Sequence, residues 1–272
     1  MFRLLLALSL FSTSIYAQSI ERVISLSPSA TEIAYAAGLG DKLVAVSEYS
    51  DYPQFAQKLE KVANHQSINI ERVLTLQPDL VLAWESGNPA KDIAKLRQLG
   101  VNVVYSDANT LEGIANKIEE LSQFADDPSI GKNNAAHFRQ TLTQLKSTYQ
   151  TQEPVSYFYQ LSEKPIITVG QNNWPSEVFS FCGGRNVFAD SRAPYPQVGL
   201  EQVIIANPEV ILTSRHAIEN GSMWQPWSEQ LQALQKEQVW TLNSDWINRP
   251  TQRTLLAIKQ VCELFETVRQ KR

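Results

Sequence analysis

IERVLTLQPDLVLAW, residues 70–84, has a second version in the chain, LEQVIIANPEVILTS, residues 200–214. In both stretches an apolar residue precedes Glu, an amphipathic run follows, and Pro and an acidic residue stand before three aliphatic residues. A proline ends a helix, and a short aliphatic run is typical of a buried strand, so each version predicts a helix, a break and a strand. TEIAYAAGLG from Thr31 and SEVFSFCGGR from Ser176 are a second similar pair. The chain is therefore expected to consist of two related halves.

Strand and helix patterns alternate through both halves, which predicts parallel sheets covered by helices on both faces. Between the halves, apolar residues recur at steps of three and four, as on one face of a long helix over about residues 131–150. We predict an α/β fold with two Rossmann-like lobes, each a mostly parallel sheet flanked by helices, joined by one long connecting helix. The expected boundaries are 18–126 for the first lobe, 127–152 for the connecting helix and 153–272 for the second lobe.

Residues 1–17 differ in composition from the rest of the chain. A short cationic start at Arg3 is followed by an apolar run, Leu4 to Phe11, that is too short to cross a bilayer. Small and polar residues then lead to Ala17, which predicts a secretory signal peptide cleaved near Ala17. We expect a periplasmic protein without a lipid anchor. The net charge of -4 argues against a nucleic-acid partner.

The chain contains two cysteines, Cys182 and Cys262. In a secreted protein such a pair favours a disulfide over two free thiols. Both lie on apolar, helix-like stretches, and two cysteines without further ligands do not predict a metal or redox site.

Aromatic residues are concentrated in the loops that follow the predicted strands. Ligands of parallel α/β proteins bind at these carboxyl ends of strands. A single loop aromatic usually only covers its own domain, but a group contributed by both halves favours a cleft. Flat apolar walls with a few polar groups suit a large, partly planar organic ligand.

Enzyme motifs are absent from the sequence: there is no G-x-S-x-G elbow, no P-loop and no H-E-x-x-H. The three histidines are scattered, although His65 and His216 could face one cleft. A binding protein is therefore favoured over an enzyme. A zinc-binding carrier or a hydrolase are the alternatives from other classes.

Glu71 and Glu201 occupy the same position in the two related stretches. The favourable interaction of an acid with the first turn of a helix would explain both residues. Alternatively, two equivalent acidic residues on the surface would suit a partner protein with two related basic sites. The sequence leaves both explanations open.

Six stretches together resemble one family: VISLSPSATEIAYAAGL, EYSDYPQFAQKLEKV, IERVLTLQPDLVLAWESGN, EVFSFCGGRNVF, PYPQVGLEQV and NSDWINR. The chain is similar over residues 22–266 to the substrate-binding proteins of bacterial ABC importers for cobalamin, haem and iron-siderophores, and most similar to the cobalamin branch. The resemblance implies a carrier that is monomeric when free and uses no cofactor. Its transported ligand would be cobalamin, which it would deliver to an inner-membrane permease dimer with ATPase subunits. Another corrinoid, haem or an iron-siderophore is the alternative ligand.

The resemblance also implies roles for individual residues. Tyr49 and Trp84 match aromatic contacts to the corrin, and Asp245 and Arg249 match polar contacts to the periphery of the ligand. Trp246 lies in the same segment as Asp245 and Arg249, and its side chain is expected to face either the cleft or its own lobe. Glu71 and Glu201 match the acids that dock on permease arginines, and Cys182 and Cys262 match the family disulfide.

Three predicted ligand contacts depart from the family pattern. His65 and Tyr195 stand at positions of tryptophan, and Ile167 stands at a position of phenylalanine. These smaller or more polar side chains leave room for another corrinoid. An imidazole is also a good cobalt ligand, so His65 has a possible metal role besides packing or hydrogen bonding.

Overall fold

The structure is a computed structural model, and it describes residues 19–149, 153–171, 173–214 and 222–272. The predicted signal peptide, residues 1–17, lies outside the described residues, as do Arg215 and His216.

The N-terminal lobe contains one five-stranded sheet. Its strands are β1 (Val23–Ser25), β2 (Leu43–Ser47), β3 (Glu60–Ala63), β4 (Leu80–Ala83) and β5 (Val103–Tyr105). They lie in the order β3-β2-β1-β4-β5, and every neighbouring pair is parallel. The helices of this lobe are α1 (Pro28–Ala36), α2 (Ile70–Thr75), α3 (Ala90–Gln98) and α4 (Leu111–Ser122). Short 3-10 helices cover Gly40–Lys42 and Gln54–Lys58.

The long connecting helix, α5, runs from Pro128 to Thr148, so it begins three residues before the predicted start at Gly131. Asp127 accepts a hydrogen bond from the Ser129 amide at 2.9 Å and caps the helix. Asp at the cap and Pro in the first turn favour a helix start, so Asp127-Pro128 marks the helix N-terminus. Gly131 allows close packing on α4, because a Cβ at this position would lie 2.4 Å from the Ser122 Cβ.

The C-terminal lobe contains a four-stranded parallel sheet and a small antiparallel hairpin. Its strands are β6 (Val155–Gln160), β7 (Ser162–Glu163), β8 (Ile166–Ile167), β9 (Gly184–Asn186), β10 (Val210–Ser214) and β11 (Val239–Leu242). The sheet order is β11-β10-β6-β9, and β7 pairs with β8. The helices are α6 (Ser176–Phe181), α7 (Leu200–Ala206), α8 (Gln232–Gln235), α9 (Ser244–Ile247) and α10 (Thr254–Gln270), with a 3-10 helix at Ser222–Trp227.

The two sheets have the same strand order over four strands, since β2-β1-β4-β5 corresponds to β9-β6-β10-β11. The predicted α/β fold with two related lobes and mostly parallel sheets is confirmed. The related stretches form α2 and β4 in one lobe and α7 and β10 in the other. Strand β9 was not predicted, because its Gly-Arg-Asn sequence lacks the aliphatic run of a typical strand.

The shared sequence pattern has a physical basis in both lobes. Gln77 and Asn207, each just before the proline, have left-handed φ values of 45° and 41° that turn the chain from helix to strand. The acid after the proline then binds the neighbouring strand. Asp79 accepts the Arg22 amide at 2.9 Å, and Glu209 accepts the Ser156 amide at 2.8 Å.

A disulfide between Cys182 and Cys262, with the sulfur atoms 1.98 Å apart, joins the end of α6 to α10. Both cysteines are buried in the core of the C-terminal lobe. Beside them, the rings of Tyr157 and Phe179 stack with centroids 4.5 Å apart. The pairing predicted from two cysteines is present, and it fixes the terminal helix α10 to the end of α6.

Candidate functional site

A cleft of about 610 Å³ lies between the two lobes, at loops that follow the carboxyl ends of strands. Both lobes contribute to its walls, and its volume falls in the ordinary range of small-molecule sites. The lining residues are Pro28, Ser29, Trp84, Ser86, Asp107, Ala108, Asn109, Leu161, Asn173, Trp174, Pro175, Pro194, Tyr195, Asn248, Arg249 and Pro250. We call this set the cleft.

Trp84 forms the aromatic wall on the N-terminal side, directly after β4, and 42% of its surface is exposed. Its backbone amide donates to the Asn88 side chain at 2.7 Å, and Asn88 in turn donates to the Leu26 carbonyl at 2.9 Å. Gly87 lies against the indole: a Cβ there would be 2.0 Å from the ring. The turn 84–88 therefore fixes the position of the tryptophan, and it requires glycine at position 87.

Tyr195 and Trp174 form the aromatic wall on the C-terminal side. Trp174 is buried and donates its indole N–H to the Ile247 carbonyl at 2.9 Å. Tyr195 is 53% exposed, with its hydroxyl 3.5 Å from the Trp174 carbonyl. Burial raises the pKa of the Tyr195 phenol, so the group is neutral at pH 7. This wall consequently offers apolar ring surface and one neutral hydroxyl.

The polar groups of the cleft are mostly neutral. Five serine and asparagine side chains are spread over both lobes: Ser29, Ser86, Asn109, Asn173 and Asn248. Asp107 is the lining acid, and it accepts the Glu85 amide at 2.8 Å. Among the described residues, Arg249 is the only cation that lines the cleft.

Arg249 is held by acceptors of both lobes. Its Nη1 atom lies 3.2 Å from Glu32 and 2.7 Å from Asp51, both in the N-terminal lobe. Its Nη2 atom lies 3.0 Å from Asp245 and 3.3 Å from the Tyr49 carbonyl. Three carboxylates therefore surround the guanidinium, and its positive charge is compensated before any ligand arrives.

The predicted ligand contacts fall into three groups. Trp84, Tyr195 and Arg249 line the cleft. Tyr49 and Asp245 do not line it, but both contact Arg249, and the Tyr49 side chain is 75% exposed.

His65, Ile167 and Trp246 form the third group, whose members are not among the lining residues of the cleft. His65 is exposed in the loop after β3. Ile167, in β8, pairs through its backbone with Gln197, close in sequence to Tyr195. Trp246 lines a separate, open pocket of about 340 Å³ in the C-terminal lobe, together with Gln260.

Several lining residues were not predicted from the sequence, among them Asn173, Trp174 and Asn248. Trp174 stands directly before a proline and a predicted helix, which was a usable signal for a loop aromatic. Asn248 lies between two residues, Asp245 and Arg249, that the resemblance identifies, and its Oδ1 accepts the Tyr159 hydroxyl at 2.9 Å.

Glu71 and Glu201 lie in the first turns of α2 and α7, and both side chains are exposed. Within the described residues neither carboxylate takes a hydrogen bond or an ion pair. By contrast, the neighbouring Arg72 forms a two-point contact with Glu60, at 2.5 and 2.8 Å. The two related glutamates are thus available to an external partner.

Within the described ranges, no three His, Cys, Asp or Glu residues are grouped as a metal site would require. In the same part of the chain, no helix combines the length and the apolar character needed to cross a bilayer.

Vitamin B12-binding proteins of other bacteria are similar to this chain over nearly its whole length. The chain is 64% identical over 255 residues to the vitamin B12-binding protein of Vibrio parahaemolyticus, covering 94% of this chain and 93% of the relative. It is 46% identical over 260 residues to the vitamin B12-binding protein of Photorhabdus laumondii, covering 96% and 93%.

Structural comparison agrees with these relatives. The crystal structure of the periplasmic vitamin B12-binding protein BtuF of Vibrio cholerae matches with a TM-score of 0.88 at 60% identity, covering 92% of this chain and 98% of that one. A periplasmic haem-binding protein of Roseiflexus has the same fold, with a TM-score of 0.81 at 23% identity and coverage of 92% and 99%. The family model described as periplasmic binding protein matches residues 23–245. The chain belongs to the periplasmic binding protein family.

Proposed function

We propose that this chain captures cobalamin in the cleft between its lobes and delivers it to an inner-membrane ABC permease dimer with its ATPase subunits. The vitamin B12-binding relatives of Vibrio and Photorhabdus support this ligand at 64% and 46% identity. The chain acts in this proposal as a periplasmic carrier, monomeric when free, without chemistry of its own. The lobe boundaries at 126, 127–152 and 153 remain predictions, as does cleavage of the signal peptide near Ala17.

One observation about the cleft carries the proposal: two aromatic walls, one from each lobe, face a set of neutral hydrogen-bonding groups. A corrin ring is a large, partly planar surface whose rim bears neutral amide side chains. Trp84 and Tyr195 offer flat surface to such a ring, and the serine and asparagine side chains of the cleft can donate to and accept from amides. Because both aromatic rings are only half buried, a bound ligand covers further apolar surface.

The charges of the cleft disfavour haem and anionic siderophores. A haem propionate or an anionic chelator needs an uncompensated cation, as charge-assisted hydrogen bonds supply much of the recognition of carboxylates. Arg249 is the one lining cation among the described residues, and Glu32, Asp51 and Asp245 already compensate it. A neutral-rimmed ligand fits this arrangement better than a dianion. Another corrinoid remains the alternative within the class, since His65, Ile167 and Tyr195 replace larger aromatic residues.

Calorimetric titration tests the ligand. Cyanocobalamin is expected to bind with a stoichiometry of one and to saturate at micromolar concentration, whereas hemin and an anionic ferric tris-catecholate siderophore give no saturable heat. The proposal fails if cyanocobalamin gives no heat while hemin or the siderophore binds.

For the delivery step, we propose that Glu71 and Glu201 dock on two basic sockets of the permease dimer. Their equivalent positions, exposure and lack of internal partners among the described residues support this role. Charge reversal of both residues to lysine is expected to abolish cobalamin uptake into proteoliposomes that contain the transporter. Glu163→Lys, a charge reversal in the β7–β8 hairpin, serves as the control and leaves uptake intact. Weakened cobalamin binding by the doubly reversed variant would contradict a role confined to docking.

A further inference from the structure

Glu32, on α1 of the N-terminal lobe, has a side chain that is only 3% exposed. Its carboxylate oxygens accept hydrogen bonds from residues of the C-terminal lobe. Oε2 accepts the Thr251 hydroxyl at 2.8 Å and the Arg253 Nε at 2.9 Å. Oε1 accepts Nη2 of Arg253 at 2.5 Å and Nη1 of Arg249 at 3.2 Å. We call Glu32, Arg249, Thr251 and Arg253 the clasp.

An ionised carboxylate is costly to bury unless its partners are complete, and here all of its close partners come from one five-residue segment of the other lobe. Separating the lobes at this point would leave Glu32 without these four donors. The segment carries its own second contact, since the Arg253 guanidinium lies 4.3 Å above the Tyr52 ring of the N-terminal lobe. The clasp therefore opposes lobe separation on the side of the cleft where Arg249 stands.

The clasp also determines what Arg249 can offer to a ligand. Its terminal nitrogens donate hydrogen bonds to Glu32, Asp51 and the Tyr49 carbonyl and form an ion pair with Asp245. Its Nε–H has no hydrogen-bond acceptor among the described residues. Arg249 thus presents a fixed planar wall and one donor rather than a mobile charge.

We propose that Glu32 is a positioning residue for ligand binding: it does not line the cleft, but it fixes Arg249 and presets the separation of the lobes. The part of this inference that concerns affinity rests on the proposed cobalamin function, whereas the part that concerns lobe separation does not. When the two lobes already have the separation that the ligand requires, little free energy is lost in ordering the protein on binding. Loss of the clasp is therefore expected to weaken binding.

The effect of Glu32 on affinity is tested by a double-mutant cycle, in which calorimetry measures the dissociation constant of cyanocobalamin for each variant. Glu32→Gln keeps the shape of the side chain and removes its charge, and it is expected to weaken binding about tenfold. In an Arg249→Met background the same substitution is expected to weaken binding clearly less than in the wild type, because the route through Arg249 is gone and only the contacts of Glu32 with Thr251 and Arg253 remain. General destabilisation would weaken binding equally in both backgrounds, and that result overturns the positioning role.

Two further variants keep this test decisive. Asp51→Asn removes another partner of Arg249 at a more exposed site, so it should fold even if the Glu32 variant does not, and it is expected to weaken binding several-fold. Glu60→Gln breaks the ion pair with Arg72 within the N-terminal lobe and serves as the matched control, with unchanged affinity. Wild-type affinity in Asp51→Asn, or a loss in Glu60→Gln equal to that in Asp51→Asn, counts against the proposal.

The lobe-separation arm needs no ligand. Spin labels at the exposed positions Lys91 and Lys236, introduced as cysteine substitutions, report the distance between the lobes by pulsed EPR. The otherwise unaltered protein is expected to show one narrow distribution and the Glu32→Gln variant a broader one. Identical distributions overturn the clasp. If the wild-type protein does not bind cyanocobalamin but the distributions differ, the proposed function fails and the clasp stands.

Discussion

Replacing Trp84 by alanine is expected to weaken cyanocobalamin binding by about 80-fold. In the ligand-free protein 42% of the Trp84 surface is exposed. A tryptophan presents about 250 Å², so a ligand that covers the indole removes about 105 Å² from water. At about 25 cal/mol per Å² this burial contributes about 2.6 kcal/mol, which corresponds to about 80-fold in the dissociation constant.

The assay is calorimetric titration of each variant with cyanocobalamin, after circular dichroism has shown that it is folded. Trp84→Phe retains a flat ring of smaller area and should lose only a few-fold in affinity. Phe55→Ala is the control, because Phe55 is an aromatic residue of the same lobe that is even more exposed, at 73%, and does not line the cleft. An affinity of Trp84→Ala within twofold of the wild type would refute the reasoning that the indole is a wall of the site.

Three further outcomes follow from the local geometry. Gly87→Ala is expected to weaken cyanocobalamin binding at least tenfold by displacing the Trp84 indole, and unchanged tryptophan fluorescence would contradict this explanation. Serine at both Cys182 and Cys262, which close a loop of 80 residues, should lower the free energy of unfolding by about 4.5 kcal/mol in urea titrations. Glu209→Gln should lower it by about 1.5 kcal/mol at pH 7, and this deficit should shrink as the pH falls and the carboxyl is protonated in the folded chain; a deficit that persists in acid would count against the ionised contact.

The sign of the pH effect comes from the surroundings of Glu209. Burial alone would raise the pKa of this carboxyl, but hydrogen bonds from Arg272 and from the amide and hydroxyl of Ser156 outweigh burial and lower it. A carboxyl whose pKa is lower in the folded than in the unfolded chain stabilises the fold above its ordinary pKa. That contribution is lost as the pH falls and the group is protonated.

The fold was predictable because its information is local. The two related stretches contain the helix, the left-handed residue before proline and the acid that binds the neighbouring strand, all within fifteen residues. The start of α5 was placed three residues late because Asp127-Pro128 is equally typical of a break and of a capped helix start. Strand β9 escaped prediction because backbone pairing with β6, rather than side-chain pattern, makes it a strand.

The candidate site was predictable only in part, for a related reason. Trp84 and Tyr195 were found because each follows a strand-end signal or matches a family motif. The network around Arg249 was not, since Glu32 is 217 residues away in sequence and nothing in the helix pattern of α1 marks it. A residue that acts through a contact distant in sequence has no local sequence signal of its own. In the sequence, Glu32 is an ordinary acidic residue of a helix, and its role is visible only in the contacts between the lobes.

The cobalt atom of the ligand gives the most direct test of the central claim. A crystal of the protein with cyanocobalamin, measured at the cobalt absorption edge, yields an anomalous difference map in which cobalt is identified by its own scattering. We predict one strong peak in the cleft, between the Trp84 wall of the N-terminal lobe and the Tyr195 wall of the C-terminal lobe. A cobalt peak elsewhere on the protein, with an empty cleft, would contradict the proposed site.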